Sequence, residues 1–114
     1  MTDRIAHAIV EALSPIIPIY LDEAETEGYP YAVYSYEPTW SYSKDGAYKI
    51  TAEDVTVTLV GKDFDDLHER QQTAIEALQA ITGERFTCRL KSTAQSRTEA
   101  VWELTSYYRI IQKF

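Results

Sequence analysis

The chain has 114 residues, a net charge of −7 and one cysteine, Cys88. This length supports one domain, with a radius of gyration of roughly 13 Å and a modest core. A single cysteine excludes an intramolecular disulfide framework and suits a reducing compartment. No cluster of Lys and Arg is present to displace counterions, so nucleic-acid recognition is not expected.

The N-terminal stretch "MTDRIAHAIVEALSP" mixes apolar with charged residues and stops at Pro15. It is expected to be neither a secretion signal nor a membrane span. Ile5, Ile9 and Leu13 recur every four residues beside Ala6 and Val10, which predicts a helix over residues 3–14. Thr2 or Asp3 is the expected cap, and Pro15 and Pro18 prevent continuation. "IIPIYL" then predicts a short strand at a sheet edge, because Pro18 has no N–H to give to a ladder.

"YPYAVYSYEPTW", residues 29–40, holds four tyrosines and a tryptophan. It is expected to pair with "AYKITAEDVTVTLVG" through a two-residue turn at Asp45-Gly46, a dipeptide suited to left-handed backbone conformations. That turn sets Lys44 opposite Ala47, Tyr36 opposite Val55, Tyr34 opposite Val57 and Ala32 opposite Leu59. Ser35 and Val33 then oppose Thr56 and Thr58 on the other face. One face is apolar and one mixed, as a half-buried sheet requires. The register strains at Glu37, Asp54 and Pro38, where a bulge or splay is expected.

"DFDDLHERQQTAIEALQAITG" places Phe64, Leu67, Ala74, Ile75, Leu78 and Ile81 near one helical stripe. Asp63 is its expected cap and Gly83 its expected stop. "RFTCRLK" reads as a strand, "STAQSRT" as a polar turn and "EAVWELTSYYRIIQKF" as a closing strand. In that last strand Trp102, Leu104, Tyr108, Ile110 and Phe114 share one face. The predicted order is α-β-β-β-α-β-β, an α+β domain over residues 1–114 with two helices on one face of a mainly antiparallel sheet. A hairpin around residues 38–52 is expected to project from it.

No catalytic or cofactor signature emerges, and neither an enzyme activity nor a cofactor or metal is expected. His7 and His68 lie at polar or boundary positions of helices, and Cys88 alternates with apolar neighbours as a buried thiol does. Asp22, Glu23, Glu25 and Glu27 lack the spacing of a calcium loop. Asp63, Asp65, Asp66 and Glu69 suit the positive end of a helix dipole. Gly28, Gly46, Gly61 and Gly83 are too scattered to cradle a phosphate.

The aromatics carry the remaining signal. Tyr34, Tyr36, Trp102 and Tyr108 are expected in the core. Tyr29, Tyr31, Val33, Val60, Val101, Tyr107 and Ile111 fall on the reverse face of the sheet, and Trp40, Tyr42 and Tyr48 on the hairpin. Collected surfaces of this kind suit a partner. The expected interface residues are Trp40, Tyr42 and Tyr48 on one patch and Tyr107 with Ile111 on another, with Tyr31 alongside. A small ligand-binding or regulatory module, with an aromatic-lined pocket between helices and sheet, is the alternative.

The same segments resemble the tail-terminator and tail-completion proteins of long-tailed phages and prophages. The resemblance rests on the helix before "SPIIPIYLDEA", on "YPYAVYSYEP", on the direct passage of strand into helix in "VTVTLVGKDFDDLHERQQTAIEAL", and on "ELTSYYRIIQKF". It spans almost the whole chain, without an invariant signature, and the hairpin here is richer in tyrosine. The resemblance implies an α+β subunit forming a ring, often six-fold, on the tail tube. Its implied partners are other copies of itself, the tail tube protein and a head-completion or connector protein. It implies assembly in the cytoplasm of a bacterial host and residence in the virion tail, with no membrane partner.

Overall fold

The computed structural model describes residues 4–24, 28–42 and 48–113, the side chains of Tyr42 and Tyr48 excepted. Two helices, α1 (Ile5–Leu13) and α2 (Phe64–Gln79), accompany six strands. The strands are β1 (Ile19–Leu21), β2 (Tyr31–Ser35), β3 (Thr39–Tyr42), β4 (Tyr48–Gly61), β5 (Phe86–Thr98) and β6 (Val101–Lys113). They form one sheet in the order β1-β2-β4-β6-β5, with β3 also paired to β4. Only β1 and β2 run parallel; the remaining pairs are antiparallel. This is the expected α+β architecture.

Strand length governs the shape. At roughly 3.3 Å per residue, the fourteen residues of β4 extend over about 43 Å. The molecule accordingly measures 52 × 23 × 22 Å, and its radius of gyration of 14.8 Å exceeds that of an equally long compact chain.

Both helices lie on one side of the sheet. Ile5, Ile9 and Leu13 of α1 and Leu67, Ala74 and Leu78 of α2 bury their stripes against Ile50, Val57, Leu59, Leu104, Tyr108 and Ile110. Polar ties fix the helices over the strands. The Arg4 N–H donates to Gln112 Oε1 at 2.8 Å, and Gln71 Nε2 donates to Ser106 Oγ at 3.1 Å. The Arg70 guanidinium also donates to the Ile16 carbonyl, anchoring the connection after α1.

Several local expectations need correction. α1 begins at Ile5, and its N-cap is Arg4 without a side-chain cap bond; Thr2 and Asp3 lie outside the described residues. α2 is capped as expected, Asp63 accepting from the Asp66 N–H at 3.2 Å, but it ends at Gln79, before Gly83. Ile81 and Thr82 tighten the exit through bonds to Leu78 and Gln79, and the Gly83 N–H turns to the Phe86 carbonyl.

The β2–β4 pairs follow the expected register, their residue numbers summing to 91, whereas the β3–β4 pairs sum to 90. The cause is one extra residue in β4 at Glu53-Asp54, which also shifts the β4–β6 register. The bulge lets Ala52 and Val55, three apart, both point into the core with no exposure. Tyr36 therefore lies between β2 and β3 and does not pair with Val55; it packs half-buried against the core instead. β3 pairs with the part of β4 that is also bonded to β6, so the described stem of this hairpin belongs to the sheet. The Asp45-Gly46 turn, with Lys44 and Ala47, lies outside the described residues, as does Phe114.

"STAQSRT" is not a turn. β5 runs through it to Thr98 and reverses at Glu99-Ala100, where Glu99 takes a left-handed φ of 57°. A second bulge at Lys91 shifts the β5–β6 register. From Lys91 onward β5 is exposed on both faces, which explains its polar composition.

Candidate assembly surfaces

The residues with potential chemistry stand apart. His7 Nε2 lies 3.1 Å from Glu11 Oε2 on the exposed side of α1. His68 is exposed and stacks on Phe64, ring centres 5.7 Å apart. Cys88 is buried, its N–H donating to Thr82 Oγ1 at 3.0 Å, and desolvation pushes its thiol pKa up to about 12. A thiol so protonated is a poor nucleophile. No hydrogen bond joins any two of these three among the described residues. Nor do three or more His, Cys, Asp or Glu side chains there converge as metal ligands.

Helices cover only one side of the sheet. The other side presents rows of residues fixed by the strand register: Tyr31, Val60, Glu103 and Ser96; then Val33, Thr58, Thr105 and Ala94; then Ser35, Thr56, Tyr107 and Ser92. A further row beyond the bulges holds Thr39, Thr51, Ile111 and Thr87. Thr58 and Thr105 join hydroxyls at 3.1 Å, and Tyr31 stacks on Tyr29 at 5.7 Å. Partial burial, then the neighbouring Tyr29 and Glu103, raise the Tyr31 phenol above its ordinary pKa. Tyr31, Tyr107 and Ile111 thus share this face, half-buried along its length.

Trp40 is 46% exposed and sits elsewhere. It pairs with Ile50, a core residue, and so lies on the helix side of the sheet. Tyr42 and Tyr48 are Cα partners in the same ladder, their side chains outside the described residues. The two expected patches are therefore distinct. Trp102, expected in the core, lies at its rim, half-buried between Phe64, 4.7 Å away, and the Arg97 guanidinium, 5.4 Å from its ring.

Charges cross the bare face between the two bulges. Arg109 Nε bonds both Glu53 carboxylate oxygens at 3.0 Å, and Lys91 Nζ reaches the Glu53 carbonyl at 3.1 Å and Asp54 Oδ1 at 3.0 Å. Sequence reasoning missed the surface that frames this network, the long outer edge of β5. The absence of Gly, Pro, Asn and Asp from "STAQSRT" could have revealed it, since those residues make turns.

The layer between helices and sheet is filled by aliphatic side chains with Tyr34, Cys88 and Tyr108. Open clefts lie at the margins; one of about 710 Å³ is lined by Arg4, His7, Glu11, Arg85 and Lys113 among others.

No family model and no curated protein matches this sequence. Among solved structures, the fold is similar to that of a chain in the virion of a native gene transfer agent particle. The TM-score is 0.64 at 10% identity, over 99% of this chain and 87% of that chain.

Proposed function

We infer that this chain is a non-enzymatic structural subunit of a phage-type particle, one that caps the tail tube as a ring and helps join tail to head. The observation that carries this reading is a sheet covered by helices on one face, bearing Tyr31, Tyr107 and Ile111 on the other and ending in an edge strand whose outer half, from Lys91 to Thr98, is exposed. The full-length likeness in fold to a chain of a gene transfer agent virion supports a virion component. A ring on a tube needs two different patches per subunit, each with an apolar centre and a polar rim. Trp40, Tyr42 and Tyr48 supply one, and Tyr107 with Ile111 supply the other, beside Tyr31. The partners are further copies of the chain, in a ring that the resemblance implies is often six-fold, the tail tube protein and a head-completion or connector protein.

The test is tube capping by variants that remain folded. Aromatic anchors at interfaces cost about 2 kcal/mol or more on truncation, roughly a thirtyfold weakening each. A Trp40→Ala, Tyr42→Ala double variant is expected to leave purified tubes uncapped and overlong by electron microscopy. Tubes of normal length would remove the hairpin from the interface. If the parent chain also left tubes uncapped, the capping role itself would fail.

A further inference from the structure

The two edges of the sheet carry opposite charge. β5 contains Arg89, Lys91 and Arg97 and no carboxylate; Glu84 and Arg85 precede it and Glu99 follows it, and all of these side chains are exposed, leaving the strand itself basic. The opposite edge is built from β1, β2 and β3, and its described residues, 19–24 and 28–42, contain Asp22, Glu23 and Glu37 but no Lys or Arg. This edge is also notched. β2 ends at Ser35 and β3 starts at Thr39, leaving an open cleft of about 530 Å³ lined by Asp22, Glu37, Glu53 and Asp54.

Internal ion pairs do not balance these edges. Arg109 and Lys91 neutralise Glu53 and Asp54, while Asp22 and Glu37 have no ion-pair partner among the described residues. Arg89 likewise has none there, and its Cα partner is Arg109, a like charge directly opposite. Glu53 already balances Arg109, so Arg89 is the guanidinium there that an outside carboxylate would balance. At the start of β5 the outward groups of Phe86 and Cys88 are taken by Gly83 and Thr82, but beyond Cys88 the proline-free outer edge offers its backbone N–H and C=O groups to another strand. Two β5 edges would repel each other by charge, which opposes a two-fold pairing and leaves the acidic edge as the complementary surface.

We propose that copies of this chain join head to tail, the basic β5 edge of one seated on the acidic β1–β3 edge of the next, with Arg89 entering the notch beside Asp22 and Glu37. The contact is heterologous, so its repetition about an axis yields a ring; the proposal rests on the ring reading and takes the two sheet edges, in place of the aromatic patches, as the junction between copies. Salt screens such a contact, over a Debye length of about 10 Å at 0.1 M.

Sedimentation of the full chain tests it. Self-association is expected to weaken at least about tenfold on raising NaCl from roughly 0.05 to 0.5 M, as charge-steered contacts do. Arg89→Glu should weaken it comparably at low salt, and so should Glu37→Arg. Mixing these two variants, or combining both substitutions in one chain, should restore association. Circular dichroism and melting temperature keep folding defects apart, because both side chains are exposed. A parent that stays monomeric, assembly indifferent to salt, or variants that associate like the parent would each overturn the proposal. Monomers that nevertheless cap tubes would leave the capping role standing; charge-rescued oligomers that cap nothing would sink that role alone.

Discussion

Among the described residues Tyr108 is the largest fully buried side chain, and its hydroxyl has no partner in hydrogen-bonding geometry. Ser106 lies two residues away on the same face and partly offsets the effect of burial, yet the phenol is still pushed up to about 12. Removing an unsatisfied buried hydroxyl while keeping the ring is close to neutral or stabilising. Tyr108→Phe is therefore expected to change stability by less than about 1 kcal/mol in urea titrations, whereas Tyr108→Ala should cost about 3–5 kcal/mol. The two raised groups also set an alkaline limit. Ordinary values are 9.0 for Cys88 and 10.0 for Tyr108, and desolvation first of all raises both to about 12. Below the ordinary values both are protonated in the folded and unfolded chain, and their contribution is fully present. Above them the unfolded chain releases protons that the fold retains, so stability falls as pH rises towards 12. A Cys88→Ala, Tyr108→Phe variant should lose less stability than the parent between about pH 8 and 11. Equal pH slopes would contradict this origin.

Elements show a different logic, in which one inserted residue outweighs several charges. The β4 bulge keeps Val55, Val57 and Leu59 on the same side as Ile50 and Ala52, because an extra residue reverses the alternation between them. Deleting Asp54 should turn Ile50 and Ala52 outward or break the β3 and β6 pairings. Exposing Ile50 alone loses about 1.5–3 kcal/mol. Asp54→Ala removes only an ion pair with Lys91, its side chains 79% and 42% exposed, and should cost under about 1 kcal/mol. Equal urea midpoints for deletion and substitution would mean the bulge does not set the register. The two helices, the β2–β4 register and the Asp63 cap were legible because apolar spacing and cap chemistry are local signals. The slip to the β3 register was not, since it depends on where strain at Glu37, Asp54 and Pro38 is absorbed. Polarity disguised the outer half of β5, because an edge strand exposed on both faces loses the alternation that reveals a strand. Trp40, Tyr107 and Ile111 were legible as surface aromatics and aliphatics, but only the register could place Trp40 on the helix side.

At the scale of the whole molecule, the described sheet has three inner strands, the short β2 and the long β4 and β6, and two kinds of edge. β4 and β6 are bonded on both sides for most of their length, and β6 lies between β4 and β5. Among the described strands β5 pairs with β6 alone, so beyond Cys88, whose N–H Thr82 takes, alternate N–H groups along its outer edge have no strand to meet. Hydrogen exchange should resolve this in the free chain. The slowest amides are expected in β4 and β6, beneath the helices, where exposure requires opening the fold. Amides on the outer edge of β5 between Ser92 and Thr98 should exchange fastest within the sheet. Assembly then separates two geometries. If neighbours meet edge to edge, alternate β5 amides gain bonds and should slow, together with those of β3, while bonded amides behind the bare face change little. If neighbours instead stack on the bare face, Tyr31, Tyr107 and Ile111 become buried but the outer β5 amides stay fast. Protection of β5 that appears with rising protein concentration and vanishes in Arg89→Glu would assign the junction to the edge. Concentration-dependent burial of Tyr107 without any β5 protection would assign it to the face.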